Sequence, residues 1–335
     1  YISFGVFFNP LMEEFGWSRA AIAGAASAAF FSMGIFGVMI GRLNDIFGPR
    51  RLMSVAALLL GLGCVLMGQL TTLWELYLYF GIIFGMGFSA IDVIALTTIV
   101  RWFSHRRGFM TGIVKVGTGA GQFAMPLAAS GLILLYGWRW TIAIIGSVVA
   151  FILVLMAQLL HRDPSAFGAK TIPETGKGNF PAPATAPSLP LSRVFRTVQF
   201  WTICLLNLFL VFGLMVIMLH IVPHVRDSGI PPIQAAGVLS TIGAVSMLGR
   251  FVSGLVIDQR GSKTVMNVCF LLLLGALVWL QFADRLWMLY LFGVLYGLAH
   301  GGFFTAISPL VAEWFGIHSH GTIFGIVACF GTTGG

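Results

Sequence analysis

The stretch GRLNDIFGPRR, from Gly41 to Arg51, lies between two long apolar runs and contains one aspartate and three arginines. The stretch GLVIDQRGSK, from Gly254 to Lys263, repeats its pattern 213 positions later. Because only 9% of the residues are charged, this repetition indicates a duplicated unit in which the polar turn has a role. The matching residues are Gly41, Asp45, Gly48 and Arg50 in the first copy, and Gly254, Asp258, Gly261 and Lys263 in the second.

The composition of the 335-residue chain is that of a membrane protein. Hydrophobic residues make up 58% of the sequence and charged residues 9%, whereas a soluble domain has about 25% charged residues. The net charge of +8 could favour nucleic acid, but the basic residues lie in the gaps between apolar runs. We therefore expect the lipid bilayer, and no nucleic acid, as a partner.

The four cysteines lack zinc or disulfide spacing, and we expect no metal and no cofactor. The sequence also lacks paired catalytic acids and a nucleophile constellation, so we expect no enzymatic activity.

The apolar runs predict the number of helices. A helix needs roughly 20 apolar residues to cross the hydrocarbon core, and the sequence contains eleven such runs, complete or partial. They predict an all-α, polytopic membrane protein. Both terminal runs are partial, so we expect the chain to be a fragment of a longer protein. The runs are about 1–15, 20–43, 51–70, 74–101, 108–136, 138–160, 199–223, 233–257, 263–283, 286–315 and 321–335.

The basic residues predict the orientation of these helices. One alternating set of connecting segments contains thirteen Lys and Arg residues, and the other set contains four. By the positive-inside rule, the first set is cytoplasmic and includes both copies of the motif; we expect a location in the inner (plasma) membrane. The longest connector, 161–198, contains six of the thirteen prolines. It is predicted to be a flexible cytoplasmic linker between an N-terminal bundle, 1–160, and a C-terminal bundle, 199–335.

Each motif aspartate is expected to bind the opposite half of the protein. The fifth helix of each half begins on the cytoplasmic side, where free N–H groups and the positive dipole end stabilise a carboxylate. We expect Asp45 to dock near Gly321, and Asp258 to dock near Arg107 and Gly108. Such contacts would hold the cytoplasmic side closed, and we name the eight matching residues the latch motifs. The alternative is an ordinary positive-inside turn with a glycine on each side.

The duplication extends beyond the latch motifs, since RWFSHRRGFMTGIVKVGTGAG (101–121) resembles EWFGIHSHGTIFGIVACFGTTGG (313–335) with one inserted residue. GRLNDIFGPRR resembles the signature loop of the major facilitator superfamily. The resemblance implies two six-helix halves that rock about a central site. Three further stretches resemble the bacterial branch of the monocarboxylate transporter family, including its oxalate–formate exchanger relatives: SFGVFFNPLMEEFGWSRAAIA, RWFSHRRGFMTGIVKVGTGAG and HIVPHVRDSGIPPIQAAGVLSTIGAVSMLGRFVSG.

Three ionisable residues lie inside apolar runs, where a charge is costly and usually serves function. Asp92, Lys115 and Arg250 lie about 12 to 14 Å from the cytoplasmic ends of their helices, close to the midplane of a core about 30 Å thick. Carriers hold substrate at this level. Asp92 and Lys115 form either a structural ion pair or a pair that changes protonation or partner during transport. An anionic substrate would satisfy the Arg250 guanidinium, unless Asp92 or backbone carbonyls do so.

The resemblance assigns a role to Arg250, because in the monocarboxylate transporter family an arginine at this place on the eighth helix binds the substrate carboxylate. Two features depart from the animal members: Ser246 replaces an aspartate, and the stretch 1–16 contains no lysine. Tyr296 and His300 lie one turn apart on the tenth helix and could line the pore. The alternative is that His300 is an interior histidine whose ring nitrogens are hydrogen-bonded within the protein. The weaker substrate-binding candidates are Lys115, Asn207, Tyr296, His300, Cys329 and Phe330.

These observations predict a secondary active transporter of small monocarboxylates such as lactate or pyruvate, working by alternating access. The resemblance implies symport with protons, with Asp92 and Lys115 as candidates for coupling. A single unpaired cation on the eighth helix favours a monoanion over a dicarboxylate. The alternatives are a carboxylate exchanger of the oxalate–formate type and a drug-efflux carrier, which would tolerate loss of Arg250.

Overall fold

The computed structural model describes residues 2–103, 106–162, 189–227 and 230–335, and the regular secondary structure of these residues is helical. They form eleven helices, named α1 to α11, and one additional helical turn, Leu191–Val194. The helices are α1 (2–15, which begins as the 3-10 helix Ile2–Phe7 and continues as Phe8–Phe15), α2 (Arg19–Phe47), α3 (Pro49–Met67), α4 (Leu73–Trp102), α5 (107–136), α6 (138–159), α7 (Val198–Asp227), α8 (Pro232–Arg260), α9 (Ser262–Leu280), α10 (Leu286–Phe315) and α11 (His320–Gly334).

The prediction of an all-α protein with eleven helices is confirmed. Gly137, with φ 74°, divides Arg107–Leu159 into α5 and α6, at the gap that the sequence predicted between two runs. Eight segments of the described residues are long and apolar enough to cross a membrane, with Arg107–Leu159 counted once. The helices α1 and α11 are shorter than the roughly 20 residues of a full crossing.

The two latch motifs form turns of the same backbone geometry. Gly48 has φ 82° and Gly261 has φ 81°, in the left-handed region that glycine adopts without steric cost. Each glycine is the single residue between two helices, α2 and α3 in the first half and α8 and α9 in the second. A one-residue connection makes these consecutive helices antiparallel neighbours.

The connector between the halves is only partly described. Residues 163–188 lie outside the described residues, so the linker bounds 161–198 and the two bundles that they separate stay a prediction. The end of the connector is folded against the protein. Val194 is fully buried in its helical turn, and the Leu189 N–H donates to the Phe315 carbonyl at 3.3 Å. For this part, the expectation of a flexible chain is wrong, because apolar side chains anchor it.

The apolar cores show which end of the protein is closed. On the side of the latch motifs, one core contains residues of both halves, including Val93 of α4 and Val327 of α11. On the opposite side the described residues form two separate cores, one around Phe80 in the first half and one around Phe292 in the second. The halves are therefore joined at the latch side and apart at the other. With the predicted orientation, this is a state closed to the cytoplasm and open to the outside.

The packing of the two halves repeats with the sequence. In the first half, the Tyr77 hydroxyl donates to the Ala21 carbonyl at 3.0 Å, and a Cβ at Gly24 would collide with that hydroxyl. In the second half, 213 positions later, a Cβ at Gly237 would collide with the Tyr290 hydroxyl in the same way. The duplication read from the sequence thus extends to the tertiary contacts.

Candidate functional site

The Asp45 carboxylate lies at the N-terminus of α11, in the opposite half. It accepts hydrogen bonds from the N–H groups of Gly321 at 3.2 Å and Thr322 at 3.0 Å, and from the Thr322 hydroxyl at 2.9 Å. Arg101 of α4 forms an ion pair with the same carboxylate at 2.7 Å. The helix N-terminus and the guanidinium both stabilise the negative charge. The contact that the sequence predicts near Gly321 is present.

The Asp258 carboxylate occupies the equivalent place at the N-terminus of α5. It accepts from the N–H groups of Gly108 at 2.7 Å and Phe109 at 2.9 Å. The sequence repeat places Glu313 where the first half has Arg101, and Glu313 instead accepts from the Ser262 hydroxyl at 2.7 Å. Among the described residues, each aspartate therefore binds the other half through backbone N–H groups, and Asp45 alone also forms an ion pair.

Glycines allow the backbones of the two halves to approach at the latch. A Cβ at Gly41 would collide with the Gly321 carbonyl oxygen, and a Cβ at Gly254 would lie 2.7 Å from the Gly108 carbonyl oxygen. Real Cβ atoms do not come this close to a backbone atom, so a larger residue at either position would push the halves apart.

The basic residues of the latch motifs do not share this arrangement. Arg50 Nε donates to Gln158 Oε1 of α6 at 2.9 Å, within its own half. Lys263 lines a surface cleft together with Glu313, also within its own half. The contacts across the halves thus come from the aspartates and glycines of the motifs.

The three ionisable residues predicted near the midplane come together. Lys115 Nζ forms an ion pair with Asp92 Oδ2 at 2.9 Å. The Lys115 side chain is 7% exposed and that of Asp92 is 54% exposed, so protein encloses the ammonium while the carboxylate is accessible. The ion pair that the sequence allowed is present, and a change of partner during transport stays a prediction.

Arg250 reaches from α8 to the same place but is only partly satisfied. Its NH1 donates to the Lys115 carbonyl of α5 at 2.8 Å. Its Nε is buried without a hydrogen-bond partner, and no carboxylate of the described residues forms an ion pair with it. Of the partners left open by the sequence, a backbone carbonyl is therefore present for one nitrogen. A buried donor without an acceptor costs free energy, and an oxygen anion would remove that cost.

His300 and Tyr296 lie next to this cluster on α10. A Cβ at Gly301, which follows His300, would lie 3.0 Å from the Arg250 backbone nitrogen, so this part of α10 packs directly on α8. Both ring nitrogens of His300 are buried and have no hydrogen-bond partner among the described residues. The Tyr296 ring stacks on the His300 ring, with centroids 6.1 Å apart. The described residues thus supply no hydrogen-bond partner for the His300 ring, and the choice between a pore-lining and an interior position stays a prediction.

The other three candidates make contacts elsewhere. Asn207 Nδ2 donates to a backbone carbonyl of α11 at 2.7 Å. The Phe330 ring packs edge to face against a tryptophan of α7, with centroids 6.0 Å apart. Cys329 approaches α2, where a Cβ at Gly34 would lie 3.2 Å from its Sγ. These contacts fix α11 against its neighbours, and the structure does not bring these residues together with the buried ionisable groups.

Two parts of the site were not predicted from the sequence. They are the Lys115 carbonyl, which accepts from Arg250, and Gly119, where a Cβ would lie 2.8 Å from Arg250 NH1. Gly119 lies in the small-residue stretch GTGAG, 117–121, of which Gly117 and Gly121 face open space. Spacing along one helix gives depth in the membrane, but it does not give the partner on the next helix.

Two repeated halves, joined by paired aspartate contacts beside buried charges, are typical of a membrane carrier, and the comparisons with known proteins agree. The family model described as Major Facilitator Superfamily matches residues 1–335. The chain therefore belongs to the Major Facilitator Superfamily, and its apolar helices are those of a multi-pass membrane protein.

Three similar proteins illustrate the range of the superfamily. Monocarboxylate transporter 11 of Homo sapiens is 29% identical over 258 residues, covering 77% of this chain and 52% of that protein. The agnestins efflux protein AgnL12 of Paecilomyces divaricatus is 26% identical over 335 residues, covering 98% of this chain and 72% of that protein. The proton:xylose symporter XylE superposes with a TM-score of 0.79 at 15% identity, covering 99% of this chain and 82% of that one. The last likeness shows the fold.

The three proteins just named are longer than the chain. It spans between 52% and 66% of the length of several curated relatives, the human one included. The relatives share the carrier fold but carry names for different cargo, so the substrate has to be argued from the residues of the site.

The unequal exposure of the Asp92–Lys115 pair predicts unequal effects of removing its members. Asp92→Asn leaves an enclosed ammonium without its anion, and we expect the free energy of unfolding to fall by about 2 kcal/mol. Lys115→Met leaves an accessible carboxylate that water solvates, so we expect a loss below about 1 kcal/mol. The measurement is denaturant unfolding of the purified protein in detergent. The double variant should recover most of the loss of Asp92→Asn; equal losses in both single variants would contradict this view of the pair.

Proposed function

We propose that the protein is a secondary active transporter of small monocarboxylates, with lactate and pyruvate as the expected class, and that it works by alternating access. The observation that carries the proposal is the Arg250 guanidinium. It is 4% exposed, lacks an ion-paired carboxylate among the described residues and has a buried Nε without an acceptor. A planar carboxylate matches the fork of N–H donors that this group offers.

Packing does not require an arginine at this position, and this supports a ligand role. The two interfaces between the halves, α5 with α8 and α2 with α11, have matching backbone contacts. A Cβ at Gly112 would lie 2.7 Å from the Arg250 carbonyl, and a Cβ at Gly325 would lie 2.6 Å from the Gly37 carbonyl. Gly37 is the repeat counterpart of Arg250. The interface of α2 with α11 therefore packs with a glycine at the position where the interface of α5 with α8 has a buried arginine. A buried cation that packing does not require indicates a functional role.

The charge of the site favours a single carboxylate. The Asp92 carboxylate already balances the Lys115 ammonium, so Arg250 is left as one positive charge in excess. A monoanion neutralises that charge, whereas the second carboxylate of a dicarboxylate would enter a poorly solvated region without a partner. The name of the human relative, a monocarboxylate transporter, is consistent with this substrate class.

In the proposed cycle, substrate enters from the outside while the latches are closed, as in the state described above. The halves then rock, the contacts of Asp45 with α11 and of Asp258 with α5 break, and the cytoplasmic side opens. We place the protein in the plasma membrane, with the connector 161–198 on the cytoplasmic side. This placement rests on the uneven distribution of basic residues along the sequence.

Proton coupling is assigned to Asp92. Its carboxylate is accessible from the open side while it holds the enclosed Lys115. Protonation of Asp92 would release the ammonium, which could then share the bound anion with Arg250. The proton and the substrate would thereby favour each other, as symport requires.

A drug-efflux carrier is the second candidate, because the fungal relative is named as an efflux protein. An efflux carrier for uncharged cargo would use apolar surface and would not depend on Arg250. A carboxylate exchanger would depend on Arg250 but would not move protons. The first two predictions below separate these three functions.

The first prediction concerns substrate binding. Lactate at 100 times its Kd should raise the free energy of unfolding of the purified protein by about 2.7 kcal/mol, measured as a shift in thermal unfolding. Arg250→Lys should raise the Kd at least about tenfold, because the ammonium loses the two-point contact. The matched control is Arg260→Lys, an exposed arginine on the same helix. Equal stabilisation of the wild type and Arg250→Lys would favour the efflux carrier.

The second prediction concerns protons. A lactate gradient directed into proteoliposomes should make the external medium more alkaline, because each entering anion takes a proton with it. Asp92→Asn should abolish the pH change. The control is Glu75→Gln, a partly exposed acid in the N-terminal cap at the opposite end of α4. Lactate uptake by the wild type at constant external pH would favour exchange instead of symport.

The third prediction concerns the latches. Asp45→Asn should populate the cytoplasm-open state, because the amide cannot replace both the charge and the two acceptor oxygens. In a chain whose four cysteines are replaced by alanine, Ile323→Cys is buried behind the latch. Its labelling by a membrane-impermeant maleimide from the cytoplasmic side should accelerate about tenfold, for a shift of about 1.4 kcal/mol. Asp284→Asn, an exposed aspartate outside the latch, is the control. An unchanged labelling rate with Asp45→Asn would leave the latch role without support.

A further inference from the structure

Arg250 connects the two halves of the protein at the level of the proposed substrate site. The guanidinium belongs to α8, and its NH1 donates to the Lys115 carbonyl of α5 at 2.8 Å. The Lys115 carbonyl belongs to the helix backbone, where it also serves the helical hydrogen bond from the residue four positions later. A carbonyl oxygen has a second lone pair, and Arg250 uses it here.

Gly119 makes that carbonyl accessible. It is the residue four positions after Lys115, and helical side chains tilt toward the N-terminus, so a side chain at 119 would lie over the Lys115 carbonyl. A Cβ at Gly119 would lie 2.8 Å from Arg250 NH1 and 2.7 Å from Met247 Cγ. The guanidinium thus occupies the space that a side chain at position 119 would take.

The second interface between the halves lacks this arrangement. The repeat places Gly37 at the position of Arg250 and Thr332 at the position of Gly119. There the larger residue belongs to α11, and a Cβ at Gly34 of α2 would collide with the Thr332 hydroxyl. The backbones cross in the same way in both interfaces, so the glycine at 119 goes with the two larger residues that face it, Arg250 and Met247, and is not required by the crossing itself.

We propose that Gly119 and the Lys115 carbonyl are a seat that positions the Arg250 guanidinium for substrate only while the cytoplasmic side is closed. The seat holds NH1 and leaves the edge formed by Nε and NH2 for the carboxylate. This proposal rests on the function proposed above and adds a positioning residue, Gly119, that makes the affinity of the site depend on its conformation.

The dependence on conformation follows from where the seat lies. The guanidinium and its acceptor belong to different halves, and the same two helices meet at Gly108 with Gly254 and at Gly112 with the Arg250 backbone. Opening of the cytoplasmic side separates these contacts and removes the acceptor of NH1. Arg250 then regains its rotamer freedom, and the substrate is held less tightly where it has to be released.

The test is the Michaelis constant for lactate measured separately from each side, in right-side-out and inside-out vesicles that contain the full chain. Gly119→Ala places a methyl group against NH1. It should raise the KM from the outer side about tenfold, as for one hydrogen bond to a charged group, and leave the KM from the cytoplasmic side unchanged. Unchanged KM values on both sides, or equal increases, would overturn the proposal.

Two controls separate the seat from simple packing. Gly117→Ala lies on the same helix, with open space for its Cβ, and should change neither KM. Met247→Ala, added to Gly119→Ala, removes the second neighbour of the new methyl group; it should not restore the outer KM, and a restoration would show that Met247 packing is the cause. The cytoplasmic KM shows that the variant is folded. Loss of lactate transport in Arg250→Lys together with normal kinetics in Gly119→Ala would reject the seat and keep the proposed function, whereas normal transport in Arg250→Lys would reject both.

Discussion

The rest of this structure depends on a guanidinium that is enclosed by protein and short of one acceptor. Withdrawing Arg250 from water carries a penalty that only charge-assisted hydrogen bonds offset. The protein supplies one acceptor, the Lys115 carbonyl, to which Arg250 NH1 donates. It leaves Arg250 Nε without a partner among the described residues. The nearby acid, Asp92, is bound to Lys115 instead. In the proposed function, an incoming anion is the group that completes the site.

The proposed substrate site lies beside the contacts that join the two halves. Each half presents one aspartate to a helix N-terminus of the other half, and glycines bring the backbones into contact there. Hydrogen bonds to a few N–H groups are strong enough to hold a closed state and weak enough to break during a transport cycle. Arg250 lies along one of these interfaces, so the proposed recognition of substrate and the contacts between the halves share one pair of helices, α5 and α8.

Much of the fold could be predicted from the sequence, because apolar run length sets the helices. The orientation that the charge distribution indicates stays a prediction. The two aspartate contacts were also predictable, since the repeat placed each aspartate on the side where a helix begins in the other half. The contacts of a residue with neighbouring helices could not be predicted. Asn207 and Phe330 share the depth of the site but contact neighbouring helices, and Gly119 has no side chain for a pattern to detect. The folded turn at Leu191–Val194 was hidden in a proline-rich stretch whose composition indicates flexibility.

The central claim is that Arg250 completes its hydrogen bonding with the carboxylate of a small monoanion. The most direct measurement is an experimental structure of the protein with lactate or pyruvate bound in the state closed to the cytoplasm. The account predicts a carboxylate oxygen within hydrogen-bond distance, about 3 Å, of Arg250 Nε, with NH1 still bound to the Lys115 carbonyl. A substrate bound elsewhere, with Arg250 Nε still without an acceptor, would contradict it.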